Sequence, residues 1–300
     1  MKPDVRTIRG SKWKPSKNAV KVSEDDTSRS IFVSGLLQGI DTSSFSTLKV
    51  TNQIPKIIVQ FWDENDIPKD VLECIESWQI LKSKGFEHHL FNNSTARKFI
   101  TDNLHEENVK AFDRCYHPAM KSDYLRLCFI YCNGGFYVDV DDVYSGSDVS
   151  GLFSDQRIKL QPLCFDIDAN SMVPPDKLNM SSEFTDNRIF YFNNNPIIAP
   201  PHNPIIEYAL ARSTYLLLEC NENIFPEIQS TTGPGNMSAS VVAYLADCPN
   251  NVREQHLKIL AEWETFAPTI WGLSYRDDDR NWRLSNRKKY TRIKPEAERD

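Results

Sequence analysis

The sequence has little that points to a membrane or an oxidising compartment. No stretch approaches the ~20 consecutive apolar residues that span a bilayer. The opening MKPDVRTIRGSKWKPSKNAVK is basic but lacks the uninterrupted apolar core of a secretory signal. The expectation is a chain made and kept in the cytoplasm unless a dedicated secretion machine exports it. Cysteine is sparse and odd in number: seven residues at irregular spacings fit reduced core thiols better than a disulfide framework. Cys128 and Cys132 lie one helical turn apart, but no nearby His or Cys pair completes a four-ligand metal set. Internal repeats and low-complexity tracts are also lacking.

What is present is an ordinary soluble composition. The chain has 300 residues, 40% hydrophobic and 25% charged, enough for one dominant domain. Its formal net charge of -6 is unevenly spread. Residues 1–21 carry seven Lys and Arg against one acid, and residues 280–294 carry seven against none, so the body is acidic. Such basic ends suit an anionic membrane surface or an anionic acceptor, or else simply solvated tails. No nucleic-acid partner is expected.

Patterning divides the chain into three parts. Residues 1–50 read as a flexible basic arm with a short docking helix around IFVSGLLQGI, residues 51–285 as the folded domain, and residues 286–300 as a basic tail. The run IPKIIVQFW (54–62) reads as a buried strand. A helix follows, with Asp66 as cap, Pro68 in its first turn, an apolar stripe of Val71, Leu72, Ile75 and Trp78, and Gly85 past its end. FEHHLFN (86–92) is the next strand, and strand, helix, strand signals a parallel sheet. Helical patterns cover 94–116 and 121–133, until Asn133-Gly134-Gly135 stops the second. Residues 188–201 read as strand, 203–220 and 237–247 as helices, TTGPGN as a tight loop between them, and 256–266 as a late strand.

The stretch NGGFYVDVDD (133–142) carries the chemistry. Alternation places Tyr137, Asp139 and Asp141 on one face of a strand about to leave the sheet, at the edge where open α/β sheets bind ligands. Asp142 falls on the opposite face, as a turn residue. Two carboxylates so close repel each other and need a counter-charge in a cleft. A hard divalent cation, Mn²⁺ or Mg²⁺, supplies it and bridges the pair to an anionic diphosphate.

The segment KSDYLRLCFIYCNGGFYVDVDD (121–142) resembles the signature of DXD-motif sugar transferases of glycosyltransferase family 32, related to the glucosylating domains of large clostridial cytotoxins. Ser122-Asp123-x-x-Arg126 and Gly134-Gly135-x-Tyr137-x-Asp139-x-Asp141 carry the likeness. IPKIIVQFW, the Ser77-Trp78 pair, TTGPGNMSASV (231–241) and NPIIAPPHNP (195–204) follow the family order. The resemblance implies a GT-A type nucleotide-sugar-binding α/β fold, a mixed central sheet flanked by helices. It also implies metal-dependent transfer of a hexose from a nucleotide sugar to a hydroxyl acceptor with retention. UDP-sugars lead GDP-mannose as donor, and the acceptor is a capsular or other glycan, a lipid-linked glycan or a protein. Under it Asp141 ligates the metal directly, Asp139 holds ribose and metal-bound water, and Asp123 and Arg126 orient the sugar. Trp62 stacks on the base, Tyr137 contacts ribose, and Gly233 lies in the loop near the donor. The chain departs from the family at Val59, where His is common, and at YRDDDRNW (275–282). There Asn281 and Trp282 stand in for a Ser-Trp pair, with Asn281 able to offer an oxygen to the metal.

Two rival readings use the same residues. A haloacid-dehalogenase-type phosphatase would use Asp139 as nucleophile and Asp141 as acid/base. A non-catalytic protein would bind the nucleotide sugar without turnover.

Overall fold

The structure, a computed structural model, describes residues 13–39, 53–178, 187–221 and 224–288. It opens with two helices, α1 (Lys17–Glu24) and α2 (Asp26–Gly39), followed by β1 (Ile57–Phe61), α3 (Lys69–Ser77), β2 (Glu87–Phe91), α4 (Asn93–Asn103) and α5 (Glu106–Arg114). The central helix α6 (Pro118–Asn133) leads into β3 (Gly135–Tyr137). Then come β4 (Ile158–Asp166), β5 (Ser171–Met172), α7 (Pro175–Leu178), β6 (Arg188–Ala199), α8 (Pro204–Glu219), α9 (Ile228–Thr231) and α10 (Pro234–Ala246). β7 (Leu257–Ile259), α11 (Trp263–Phe266) and α12 (Trp282–Ser285) complete the described chain.

These elements build one seven-stranded mixed sheet in the order β2-β1-β3-β6-β4-β5, with β7 beside β4. The expected parallel unit is present, since β2, β1 and β3 run parallel. From there β6 and β4 continue antiparallel, and β7 rejoins β4 in parallel. The mixed α/β architecture is therefore the one the resemblance implies. No helix among the described residues is long and apolar enough to cross a membrane.

Period-two alternation splits the sheet's side chains between two cores. Val59, Tyr137 and Ile197 join a large cluster with α6, α8 and α10, whereas Ile58, Phe136 and Ile198 pack with Trp78 and Trp263 on the other side. Helix α6 is enclosed, with every residue from Ser122 to Ile130 buried. A helix surrounded by core can hold polar side chains only if each is satisfied, and this one carries Ser122, Asp123 and Arg126 inward.

The glycine pair at the α6–β3 junction is dictated by sterics. Gly134 and Gly135 have φ of 67° and 117°. A Cβ on Gly135 would lie 2.8 Å from the Ile57 carbonyl oxygen, and one on Gly134 2.7 Å from Pro201. Only glycine lets β3 come this close to β1.

Several expectations are corrected. Residues 17–39 are not a flexible arm but two helices docked on α10 and β6, with Val33 and Leu36 in the core and Glu24 paired with Arg212 at 2.8 and 2.9 Å. The docking helix is realised as α2; residues 1–12 and 40–52 lie outside the described residues. Asp66 does not cap α3, whose N-cap position is Pro68 without a side-chain bond; the Asp66 carbonyl instead accepts from the Trp62 indole. The 94–116 helix breaks into α4 and α5, because Leu104 and His105 turn extended. The late strand is β7 alone, and Trp263–Phe266 turns helical. TTGPGN is less a loop than a cap: Thr231 closes α9 and Pro234 opens α10. In the tail, Asn286 is tied to Glu227 at 3.0 Å, and residues 289–300 lie outside the described part.

Candidate active site

β3 ends at Tyr137, four residues before the alternation through Asp141 runs out, so the Asp-x-Asp stretch has already left the sheet. Beyond it Asp139 and Asp141 enter a cavity of about 810 Å³ whose wall also includes Trp62, Asp123, Arg126, Asn281 and Trp282. Residues as far apart in sequence as Trp62 and Trp282 thus meet at the carboxyl end of the parallel strands, the place expected of an open α/β sheet.

Arg126 is the hub. Its guanidinium, with the residue 3% exposed, donates to the Asn194 carbonyl at 2.7 Å, Ser122 Oγ at 3.0 Å, the Tyr137 hydroxyl at 3.2 Å and Asp139 Oδ1 at 2.8 Å. It also lies 4.0 Å from the centre of the Tyr137 ring. Burial opposes its charge, but Asp139, Tyr137 and Asp123 together outweigh that and raise its pKa. Asp123 lies 3.2 Å from Arg126 and accepts from Asn194 at 2.7 Å and Thr232 at 3.1 Å. Desolvation still drives its carboxyl upward against Arg126.

Asp139 is more open than Asp123 or Asp141, its side chain 32% exposed against 9% and 12%. Its amide donates to Asn195 Oδ1 at 3.0 Å, and its Oδ1 accepts from Tyr137 at 3.1 Å. Asp141 accepts from the Tyr275 hydroxyl at 2.8 Å and makes a short ion pair with Arg276. Burial first, and then Asp139, raise the pKa of Asp141, with Arg276 opposing them.

Some expected roles change with depth. Tyr137 points into the core rather than the cavity, because β3 is covered by α6. Its ring is fully buried and its hydroxyl bonds Ser122 at 2.6 Å, so it positions Asp139 and Arg126. Asp142 is no simple turn residue. It is fully buried and accepts from Thr269 at 2.6 Å, Asn195 at 2.9 Å and the Trp263 indole at 3.3 Å. Desolvation, with Asp141 next, pushes its pKa up to about 7. Gly233 does not line the cavity but backs Asp123, where a Cβ would come within 3.3 Å of Asp123 Oδ2. Asn281 lines the cavity, yet its oxygen caps α12 at the Arg283 amide and its nitrogen donates to the Arg276 carbonyl. Trp62 is 4% exposed, with Tyr275 edge-on at 5.6 Å and Arg280 over its ring at 5.2 Å.

The sequence reading missed Asn194, Asn195, Tyr275 and Arg276. Pairing of β6 with β4 jumps from Ile197–Leu160 to Phe192–Pro162, so Asn193–Pro196, with a cis Asn195–Pro196 bond, bows out opposite the single residue Gln161. Such an irregularity re-aims side chains, and here it turns the asparagines toward Asp123, Asp139 and Asp142. Three consecutive asparagines inside an otherwise apolar strand were the available signal. Tyr275 and Arg276 open the stretch YRDDDRNW, read for Asn281 and Trp282, but only the fold brings the first two to Asp141.

Two carboxylates sharing one cavity form a hard-oxygen donor set of the kind Mg²⁺ and Mn²⁺ accept, with substrate phosphates completing the shell. Among the described residues no group of three or more His, Cys, Asp and Glu side chains forms a metal site, so the remaining positions of such a cation would fall to water or an anionic ligand.

The paired-aspartate motif at the edge of this mixed α/β sheet lies in a stretch similar to the DXD-containing region of sugar transferases. Residues 68–150 match the family model of the glycosyltransferase sugar-binding region containing a DXD motif, a span that holds Asp123, Arg126, Asp139 and Asp141. A mimivirus protein of Acanthamoeba polyphaga described as an uncharacterized glycosyltransferase is 29% identical over 92 residues, 30% of this chain and 36% of that protein. Inositol phosphoceramide mannosyltransferase 2 of Schizosaccharomyces pombe is 32% identical over 89 residues, 30% of this chain and 25% of its own length. The similarity thus spans only about a quarter to a third of these relatives. A solved structure, PaToxG Glycosyltransferase, superposes with a TM-score of 0.42 at 18% identity, covering 78% of this chain and 81% of its own.

Proposed function

We propose that the protein transfers a hexose from a nucleoside-diphosphate sugar to a hydroxyl acceptor with the help of a divalent cation. The observation that carries this reading is the convergence of Asp123, Asp139 and Asp141 with Arg126 in one cavity, inside a segment matching a sugar-transferase family. Asp139 and Asp141 would hold the cation together with the donor's phosphates. When bound, it supplies Lewis-acid stabilisation of the departing diphosphate.

The chain's own groups do the positioning. Arg126 and the Tyr137 hydroxyl lock Asp139 in one rotamer, and Asn195 fixes its backbone. Asp123, steadied by Asn194 and Thr232, presents acceptor oxygens suited to sugar hydroxyls. Trp62, with Arg280 across its ring, frames the end of the cavity where a base is held. Preorganised charge of this kind acts where water is excluded, which is where it is worth most. UDP-sugars ahead of GDP-mannose, retention of configuration, and a glycan, lipid-linked or protein acceptor belong to the proposal through the resemblance alone. So does peripheral contact of the basic ends with an anionic membrane surface.

The test is a screen of UDP- and GDP-sugars for Mn²⁺-dependent hydrolysis, with chelator and Asp141→Ala as controls. Release of free sugar that both controls abolish is expected. The phosphatase reading needs a lysine and a second acidic pair, but the cavity wall holds arginines and Asp278 is spent on Arg280 at 2.8 Å. Hydrolysis of a simple phosphomonoester with no activity on any nucleotide sugar would overturn the proposal.

A further inference from the structure

We infer that Arg276 is a diphosphate-binding residue that occupies the cation's place on Asp141 until a donor arrives, and that the two cations then exchange. This inference rests on the nucleotide-sugar reading of the cavity. Both side chains are largely covered, 14% exposed for Arg276 and 12% for Asp141, so neither charge is well hydrated and each needs the other. Only one edge of the guanidinium is used. Its Nη2 meets Asp141, while its buried Nε finds no hydrogen-bond partner among the described residues. A buried donor left without an acceptor is disfavoured in a folded protein, which marks a group awaiting one.

The surroundings permit the exchange. The guanidinium lies 4.5 Å from the centre of the Trp271 ring and 5.5 Å from that of Tyr275. Trp271 itself is 65% exposed at the cavity mouth. An aromatic face holds a planar cation without fixing its direction, so the side chain can swing while keeping its stacking partner. The backbone beneath it is anchored. Ser274 bonds Asp70 at 2.6 and 3.0 Å, Asn281 donates to the Arg276 carbonyl at 2.8 Å, and His117 contacts the Asp279 carbonyl and Ser285, each at 2.8 Å. Movement is thereby confined to the Arg276 side chain. Guanidinium and diphosphate match as a forked donor and paired acceptors, and the released Asp141 is then free for a divalent ion.

Opposite signs make the test decisive. Isothermal titration of Arg276→Gln with Mn²⁺ alone is expected to show about tenfold tighter binding than wild type, because the competing cation is gone. Titration of the same variant with UDP and GDP in chelator is expected to show about tenfold weaker binding. Arg276→Lys falls between on both counts. Asp141→Asn, which frees the arginine, binds nucleotide more tightly than wild type in chelator and serves as an independent arm if Arg276→Gln folds poorly by circular dichroism. If Mn²⁺ and nucleotide affinities fall together, or neither changes, the exchange is wrong. Wild-type protein that binds neither UDP nor GDP sinks the nucleotide reading and the exchange together. Wild-type binding that the Arg276→Gln change leaves untouched sinks the exchange alone.

Discussion

Replacing Arg126 with methionine keeps much of the side chain's volume and removes its charge, which tests what the hub holds together. Four hydrogen bonds between 2.7 and 3.2 Å vanish, and so does the stacking on Tyr137 at 4.0 Å. The larger effect falls on its partners. Asp123 is 7% exposed and loses the cation 3.2 Å from it, while Asp139, about a third exposed, retains partial access to water. Removing one member of a buried pair costs about 3–5 kcal/mol, most of it the uncompensated charge left behind. A folded domain has only about 5–15 kcal/mol of total stability, so the variant should sit near the edge of folding. Urea unfolding followed by circular dichroism measures the loss. Adding Asp123→Asn should restore at least about 1 kcal/mol, since the orphaned charge is then gone. The deficit should also shrink at acid pH. With a raised folded pKa, Asp123 stays protonated to higher pH than in the unfolded chain, so in that window stability declines as pH rises. A loss under about 1 kcal/mol, or no rescue by Asp123→Asn, would refute this account.

Two further outcomes follow from local geometry. His88 Nε2 donates to Gln60 Oε1 at 2.8 Å, and burial first, then Lys82 and His89, lower its pKa to about 4. The unfolded chain takes up that proton near pH 6.5 while the folded one resists, so stability falls as pH drops from about 6.5 to 4, by on the order of 2 kcal/mol. His88→Gln should flatten that part of the stability–pH curve measured by urea unfolding; an unchanged slope would assign it to other groups. Gly135→Ala should cost about 3 kcal/mol, because φ of 117° is combined with a contact 2.8 Å from Ile57 oxygen. Gly146→Ala, with φ of 91° but open space around the added carbon, should cost about 1 kcal/mol, and equal losses in thermal melts would dismiss the steric argument.

What could be read from the sequence was what lies close together along the chain. β1, β2 and α6 announced themselves through apolar runs, helical spacing and the Gly-Gly stop, and Asp123, Arg126, Asp139 and Asp141 came with them within 19 residues. Depth was less legible: alternation put Tyr137 on the side of the aspartates, yet α6 covers that side before the cavity begins. Charge patterning misled at the amino end, because α1 is polar in sequence and its last residue, Glu24, finds its partner 188 residues away at Arg212. β4 went unread since Lys159 and Pro162 interrupt its apolar run, and only the fold shows that Lys159 reaches Asp155 at 2.8 Å. Asn281 illustrates the opposite error, a residue located correctly in the cavity wall but engaged in its own helix cap.

The separation between Asp141 and Arg276 is 135 residues, and this bears on how the molecule is born. During synthesis the acidic pair leaves the ribosome long before the strand β7 and the arginine that follow it. At 5–20 residues per second the nascent chain spends roughly 7–27 seconds with that charge unmatched. A chain cut short after β7 would carry all seven described strands while Asp141 lacked its guanidinium partner. Cellular proteases would meet such a fragment as a strained one, whereas a chain that continues through Ser274–Asp277 brings Arg276 to Asp141 once that turn is in place.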